Sequence, residues 1–285
     1  LGLGETKISR KVKGIDIFVK TCTSVQLVSQ NKKRIFEKNK SEYTFRTIRS
    51  LIKSAKELKK RFPKIFIQFT IIDVGSSITD VEKMKSIISD NFKSKFIIID
   101  PKNLKFQPNI ITKNNKEIEN NMSTTMASIH ESFVEGVKCK DLIYFVEDDY
   151  IHKKESLLEM IFAYEKFSSI FKKELFLLST DYPFLYKKLD ETKILFGENY
   201  HWRIVKESLL TFLTSAQMIK KYLNNLADMA KNEKNPFEKN LHEIYENEIC
   251  LSPIPSLSLH CTNINSVFGI SPNFDVKKIW NENEN

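Results

Sequence analysis

Short apolar runs alternate along this chain with longer stretches in which apolar residues recur every three or four positions. Ile15–Val19, Ile65–Ile72, Phe96–Ile99 and Ile143–Val146 have the length of strands and are rich in β-branched and aromatic residues. Between the first two, Phe45, Ile48, Leu51, Ile52, Ala55 and Leu58 keep helical spacing, so a helix is predicted over Tyr43–Arg61, stopped by Pro63. Helices are likewise predicted over Val81–Asn91, Thr124–Val137 and Leu157–Phe171, with a further strand at Leu175–Ser179. Near-continuous apolar strands separated by helices are the mark of parallel βαβ units. The expectation is an α/β fold with a mostly parallel sheet flanked by helices on both faces.

The C-terminal third is less regular. Leu209–Leu213 reads as a strand, and Ser215 suits the N-cap of a helix running through Ala230. Residues 231–242 are polar and carry Pro236, which predicts a loop that could lie over a site. Leu251–Leu259 is an extended, Pro-punctuated segment ending in His260. Residues 101–121 are predicted to form a mobile polar loop, and residues 1–13 and 281–285 to be loose termini. No internal repeat or low-complexity linker divides the chain, so residues 14–280 are expected to form one domain.

With 285 residues, 41% of them hydrophobic and 21 of them Phe, the chain can bury a full core. Its formal charge of +9 raises the question of nucleic acid or an anionic membrane. The lysines are scattered, however, and RNA-binding aromatic motifs and zinc-finger spacings are absent. A solvated basic surface that favours anionic substrates fits better. The four cysteines, Cys22, Cys139, Cys250 and Cys261, are far apart and form no C-x-x-C, as expected of reduced thiols in the cytoplasm. No apolar stretch reaches membrane-spanning length and no secretory signal is visible.

Candidate chemistry is concentrated where the run Ile143-Tyr144-Phe145-Val146 ends in Glu147-Asp148-Asp149. A buried strand that emerges into three acids places carboxylates at the carboxyl edge of the sheet, where open α/β folds bind ligands. Mutually repelling carboxylates call for a positive partner, and a hard divalent ion holding phosphates is one that oxygen ligands suit. Of the remaining groups, His201-Trp202-Arg203 is a dense trio: Arg203 could clamp a phosphate and Trp202 could stack on a sugar. His130, His152 and His242 lack metal-ligand spacing with one another.

Four segments together resemble the GT-A-type glycosyltransferases, in particular family 2-like members. These are the first strand ending in Thr21 and Thr23, the segment Ile72-Asp73-Val74-Gly75-Ser76-Ser77, the Glu147-Asp148-Asp149 triplet in place of a D-x-D motif, and Pro255-Ser256-Leu257-Ser258-Leu259-His260. The resemblance implies transfer of a sugar from a nucleotide-sugar donor to a hydroxyl acceptor, either a surface glycan or a lipid-linked sugar. It also implies Mn2+ or Mg2+ as cofactor, and the basic charge permits peripheral contact with the inner membrane face. Residues 14–150 would then bind the nucleotide and residues 151–280 the acceptor. Asp149, His260 and Glu147 would hold the metal, with Asp149 ahead of Glu147 because the triplet opens with Glu rather than Asp. Thr21, Asp73, Asp148, Asp149 and Arg203 would contact the donor, and Trp202 the acceptor. A carboxylate is needed to deprotonate the attacking hydroxyl in an inverting reaction; Glu238, Glu243 and Asp181 are the candidates. Two alternatives remain open: a metal-dependent nucleotidyltransferase, disfavoured because residues 19–30 contain no Gly, and a non-catalytic basic protein that binds nucleic acid or membrane.

Overall fold

The computed structural model describes residues 6–24, 33–111, 116–187 and 191–284. In chain order the elements are β1 (Gly14–Thr21), α1 (Lys40–Arg61), β2 (Phe66–Val74), α2 (Ile78–Ser89), β3 (Lys93–Ile99), α3 (Lys116–Gly136), β4 (Leu142–Glu147) and β5 (Tyr150–His152). There follow α4 (Ser156–Phe171), β6 (Phe176–Leu177), β7 (Ile194–Phe196), β8 (His201–Val205), β9 (Phe212–Ser215), α5 (Ala216–Lys221) and α6 (Leu223–Lys231). The last four are α7 (Lys239–Asn247), β10 (Cys250–Ile254), β11 (Ser258–His260) and α8 (Val276–Glu282).

Nine strands form one sheet in the order β3-β2-β1-β4-β9-β6-β10-β8-β7. β3, β2, β1 and β4 are parallel neighbours, and within the sheet only β8 and β9 run against the common direction. This is the mostly parallel, Rossmann-like α/β architecture that the apolar runs predict. Its central strands are apolar on both sides because both faces are covered. On one face Phe145 packs edge-on to Phe133 of α3. On the other, Tyr144 meets His152, whose backbone N–H donates to Ser50 of α1. α1 packs on α2 and α4, while α3 packs on α5 and α6. A separate two-stranded pair, β5 with β11, sits beside the carboxyl end of β4.

Several expectations need correction. Residues 6–13 are not loose: Arg10 Nε donates to Glu174 at 2.9 Å, and the Val12 N–H donates to Glu165 at 2.8 Å. Buried or half-buried carboxylates of Asp141, Glu165 and Glu174 require donors, and this strap supplies them. Nor is the C-terminal tail frayed through residue 284. Asn283 is buried, and the Trp280 indole is covered by the Arg46 guanidinium 4.2 Å from its centre. α3 begins at Lys116, inside the predicted loop, and α7 begins at Lys239, inside the other. Ser215 does cap α5, accepting from the Met218 N–H, but the helix breaks at Tyr222 before α6. The β7–β8 hairpin was not predicted.

Candidate active site

The carboxyl ends of β1, β2 and β4 open into a cleft of about 190 Å³. A larger groove lies at the opposite, amino-terminal edge of the sheet, but its prominent charges are matched internally. There Arg10 pairs with Asp141 and Glu174, and Lys95 with Glu135. The cleft at the carboxyl edge gathers Thr21, Glu147, Asp148, Asp149, Glu238 and His260 from the predicted residues.

Strand register explains how. Thr21 lies opposite Asp73 on β2, and Lys20 opposite Glu147 on β4. The Thr21 hydroxyl donates to Asp73 Oδ1 at 2.7 Å, and the Ser76 N–H donates to Oδ2 at 3.1 Å. Gly75, between them, has φ +81°, a left-handed conformation that a side chain would strain. Burial raises the Asp73 pKa, and the hydrogen bonds from Ser76 and Thr21 oppose that shift. Asp73 and Thr21 are thus a preformed hydrogen-bonded corner at the end of two strands.

The acidic triplet divides its work. Asp148 is held in an ion pair by Lys40 at the first turn of α1, accepts from the Thr44 hydroxyl at 3.0 Å, and accepts from the Cys22 N–H at 3.2 Å. Its charge is therefore already neutralised. Asp149 faces His260, with Oδ2 3.5 Å from Nε2. On the far side of the ring, Nδ1 lies 2.9 Å from the Phe268 carbonyl and donates to it, and Tyr150 stacks on the ring at 4.6 Å. Burial disfavours the Asp149 carboxylate, but His260 and Lys40 outweigh it and hold its pKa well below the usual range. For His260 burial favours the neutral ring, yet Asp149 prevails and raises its pKa. Glu147 and Glu238 line the same cleft.

A divalent ion fits the Asp149–His260 pair in donor type and spacing. A histidine that donates one ring N–H to a backbone carbonyl presents its other nitrogen in a fixed direction, the usual arrangement of a metal-ligating imidazole. Ligands about 2.1 Å from one ion lie roughly 3.0–3.5 Å apart, close to the separation seen. Among the described residues, however, no three His, Cys, Asp or Glu side chains are grouped to hold a metal. The expected trio with Glu147 is not assembled, and further ligands would have to come from the donor and water.

Other predicted residues lie elsewhere. Trp202 is fully buried in the core, 6.3 Å from Phe167, so it cannot stack on an acceptor sugar. Arg203 is ion-paired with Asp181 and covers the Tyr186 ring, so both Arg203 and Asp181 are spent on each other inside the fold. Neither lines the cleft. Glu243 is exposed on α7, on the side away from the buried Asn240, Leu241, Ile244 and Tyr245. Sequence reasoning missed three cations that do line the cleft: Lys20, Arg34 and Lys40. Alternation on β1 offered a signal for Lys20, which follows Asp16 and Phe18 on one face; nothing local marked the other two.

No protein-family model matches the chain, and no curated protein matches it by sequence. Among solved structures, it is similar to an active-site mutant of LgtC, with 12% identity over 76% of this chain and 64% of that one, and a TM-score of 0.35. It is also similar to 4-diphosphocytidyl-2C-methyl-D-erythritol synthase from Anaerococcus prevotii, with 11% identity over 97% and 96% of the two chains and a TM-score of 0.40. Mouse xyloside xylosyltransferase 1 gives 10% identity, coverage of 83% and 77%, and a TM-score of 0.35. The chain thus spans less than two thirds of the LgtC chain. Among the described residues no helix is long and apolar enough to cross a membrane.

Proposed function

We propose that this chain is a GT-A-type glycosyltransferase that moves a sugar from a nucleotide-sugar donor to a hydroxyl acceptor with Mn2+ or Mg2+. The observation that carries the reading is the Asp149–His260 pair, oriented by the Phe268 carbonyl, in a cleft that is also lined by Thr21, the hydrogen-bond partner of the buried Asp73. Asp73 would accept hydrogen bonds from the nucleoside. Asp149 and His260 would hold a divalent ion, which when bound stabilises charge on the departing diphosphate as a Lewis acid. Asp148, fixed by Lys40 and Thr44, keeps the β4 terminus in place next to Asp149. Glu238, at the start of α7 and within the cleft lining, is the carboxylate best placed to receive the acceptor proton. The acceptor would be a glycan or lipid-linked sugar.

A panel of nucleoside diphosphates and nucleotide sugars, melted with and without Mn2+, tests the reading. At one hundred times its dissociation constant a ligand of the native state adds about 2.7 kcal/mol, a readily measured rise in Tm. No metal-dependent stabilisation by any nucleotide would refute it. Nucleotidyl transfer is the rival, because Lys20 and Arg34 would also suit a triphosphate. Stabilisation by nucleoside triphosphates in preference to nucleotide sugars would favour that rival.

A further inference from the structure

We infer that Arg34, together with Lys20, forms the wall of the cleft that binds the donor diphosphate; the assignment rests on the nucleotide-sugar reading above. The backbone delivers Arg34 to this position. The Cys261 N–H donates to the Asp149 carbonyl at 2.9 Å, and the Ile35 N–H donates in turn to the Cys261 carbonyl at 2.9 Å. Arg34 and Thr262 form a β-bridge alongside. The chain at 34–35 is therefore laid against the segment that carries His260, which is itself laid against Asp149. From there the Arg34 side chain lines the cleft, with its guanidinium 5.6 Å from the centre of the Tyr43 ring.

What sets Arg34 and Lys20 apart is that neither is held in an ion pair among the described residues. Lys40 is committed to Asp148. Among the described residues no carboxylate pairs with Arg34, and its Nε is buried without a hydrogen-bond acceptor. Leaving such a donor unmet costs free energy, which an incoming oxyanion would offset. Lys20 reaches the cleft from the other side, in register with Glu147, and its ammonium has no hydrogen bond among the described residues. Two cations of different shape, neither in a hydrogen-bonded ion pair among the described residues, thus face one space, with Lys20 in the field of Glu147, Asp148, Glu238 and Asp149. A guanidinium forks onto two phosphate oxygens, and an ammonium supplies a compact point charge. The ligand class is a pyrophosphate group esterified to a nucleoside. Arg203, the arginine that the sequence suggested for this task, is occupied by Asp181.

The test is calorimetric titration of wild type, Arg34→Gln, Arg34→Lys and Lys20→Gln. The ligands are inorganic pyrophosphate, the nucleoside diphosphate that gives the largest thermal shift, and its parent nucleoside, each with Mn2+. Arg34→Gln should weaken diphosphate and pyrophosphate binding at least tenfold, leave nucleoside affinity within twofold, and flatten the salt dependence of the diphosphate Kd. Lys20→Gln should act in the same direction. Retained nucleoside binding checks the fold of each variant, and Arg34→Lys, which keeps the charge and loses the fork, gives an intermediate Kd if Arg34→Gln does not fold. Unchanged diphosphate and pyrophosphate affinity in a folded Arg34 variant overturns this assignment while leaving the donor reading intact. Arg34-dependent pyrophosphate binding with no added affinity from any nucleoside would instead overturn the donor reading and keep the anion wall. A wild-type protein that binds neither overturns both.

Discussion

Replacing Arg203 with Met should unfold this protein more readily without touching its ligand site. Asp181 is fully buried, and its carboxylate is met by the Arg203 guanidinium and the Tyr186 hydroxyl. Met keeps much of the apolar stem but withdraws the charge, leaving a carboxylate inside the fold with one donor. Breaking a buried pair in this way costs about 3–5 kcal/mol. At roughly 2–4 °C per kcal/mol for a chain of this size, the Tm should fall by on the order of 10 °C. The pH dependence follows from the sign of the shift. Burial raises the Asp181 pKa, and Tyr186 and Arg203 now oppose that rise; without Arg203 it climbs further. A carboxyl whose folded pKa lies above its unfolded value holds a proton the unfolded chain has released, so stability is lost as pH rises through the folded value. Urea denaturation followed by far-ultraviolet circular dichroism should therefore show the largest deficit near pH 8 and a smaller one near pH 4.5. A variant within about 0.5 kcal/mol of wild type at both pH values, the range of an ordinary surface substitution, would refute the buried-pair account. Loss of diphosphate affinity with stability intact would return Arg203 to the ligand.

Asp149→Asn should reduce turnover at least a hundredfold with the far-ultraviolet spectrum kept; near-wild-type activity in excess Mn2+ would remove Asp149 from the site. Asp73→Asn should raise the donor KM more than it lowers kcat, since its contacts are shared by ground and transition states; equal loss in kcat and kcat/KM would contradict this. Burial pushes the His152 imidazole down from 6.5 to about 3. The unfolded chain therefore takes up a proton that the native state refuses, and stability should fall as pH drops from about 6.5 towards 3. Melting of His152→Gln across that window should give a flatter profile, and parallel profiles would clear His152 of any part in acid lability. Trp202→Ala should cost about 3–5 kcal/mol as a core truncation while leaving the acceptor KM of the folded enzyme unchanged, as steady-state kinetics would show.

What the sequence made legible was governed by how local the determining physics is. β1, β2 and β4 were visible because burial on both faces leaves apolar runs such as Ile17-Phe18-Val19 and Ile143-Tyr144-Phe145. The position of the acidic triplet followed from the end of one such run. The β7–β8 hairpin escaped because each strand is short. In β8 Trp202 and Arg203 are both buried while His201 is exposed. A period of two would have turned Trp202 inward, but the burial of Arg203 follows from its pairing with Asp181, which leaves no local trace. The strap at residues 6–13 looked loose because its partners, Glu165, Glu174 and Asp141, are over 120 residues away and leave no local trace. The break at Tyr222 has neither Gly nor Pro to announce it. Lys40 and Arg34 are lysine and arginine in a chain with many, and only the folded chain shows which of them meets Asp148 and which pairs with no acid among the described residues.

The three groups that grip Asp148 lie 104 to 126 residues before it, and the imidazole facing Asp149 comes from near the other end of the chain. Contacts of such separation are made late, since the entropy of closing long loops must be met first. During refolding the sheet's parallel centre can therefore collapse well before a competent cleft exists. Affinity for nucleotide would then lag behind the recovery of secondary structure, and the interval between the two signals would time the docking of residues 258–262 onto β5. During synthesis the same ordering leaves the cleft without His260 until that segment has left the ribosome.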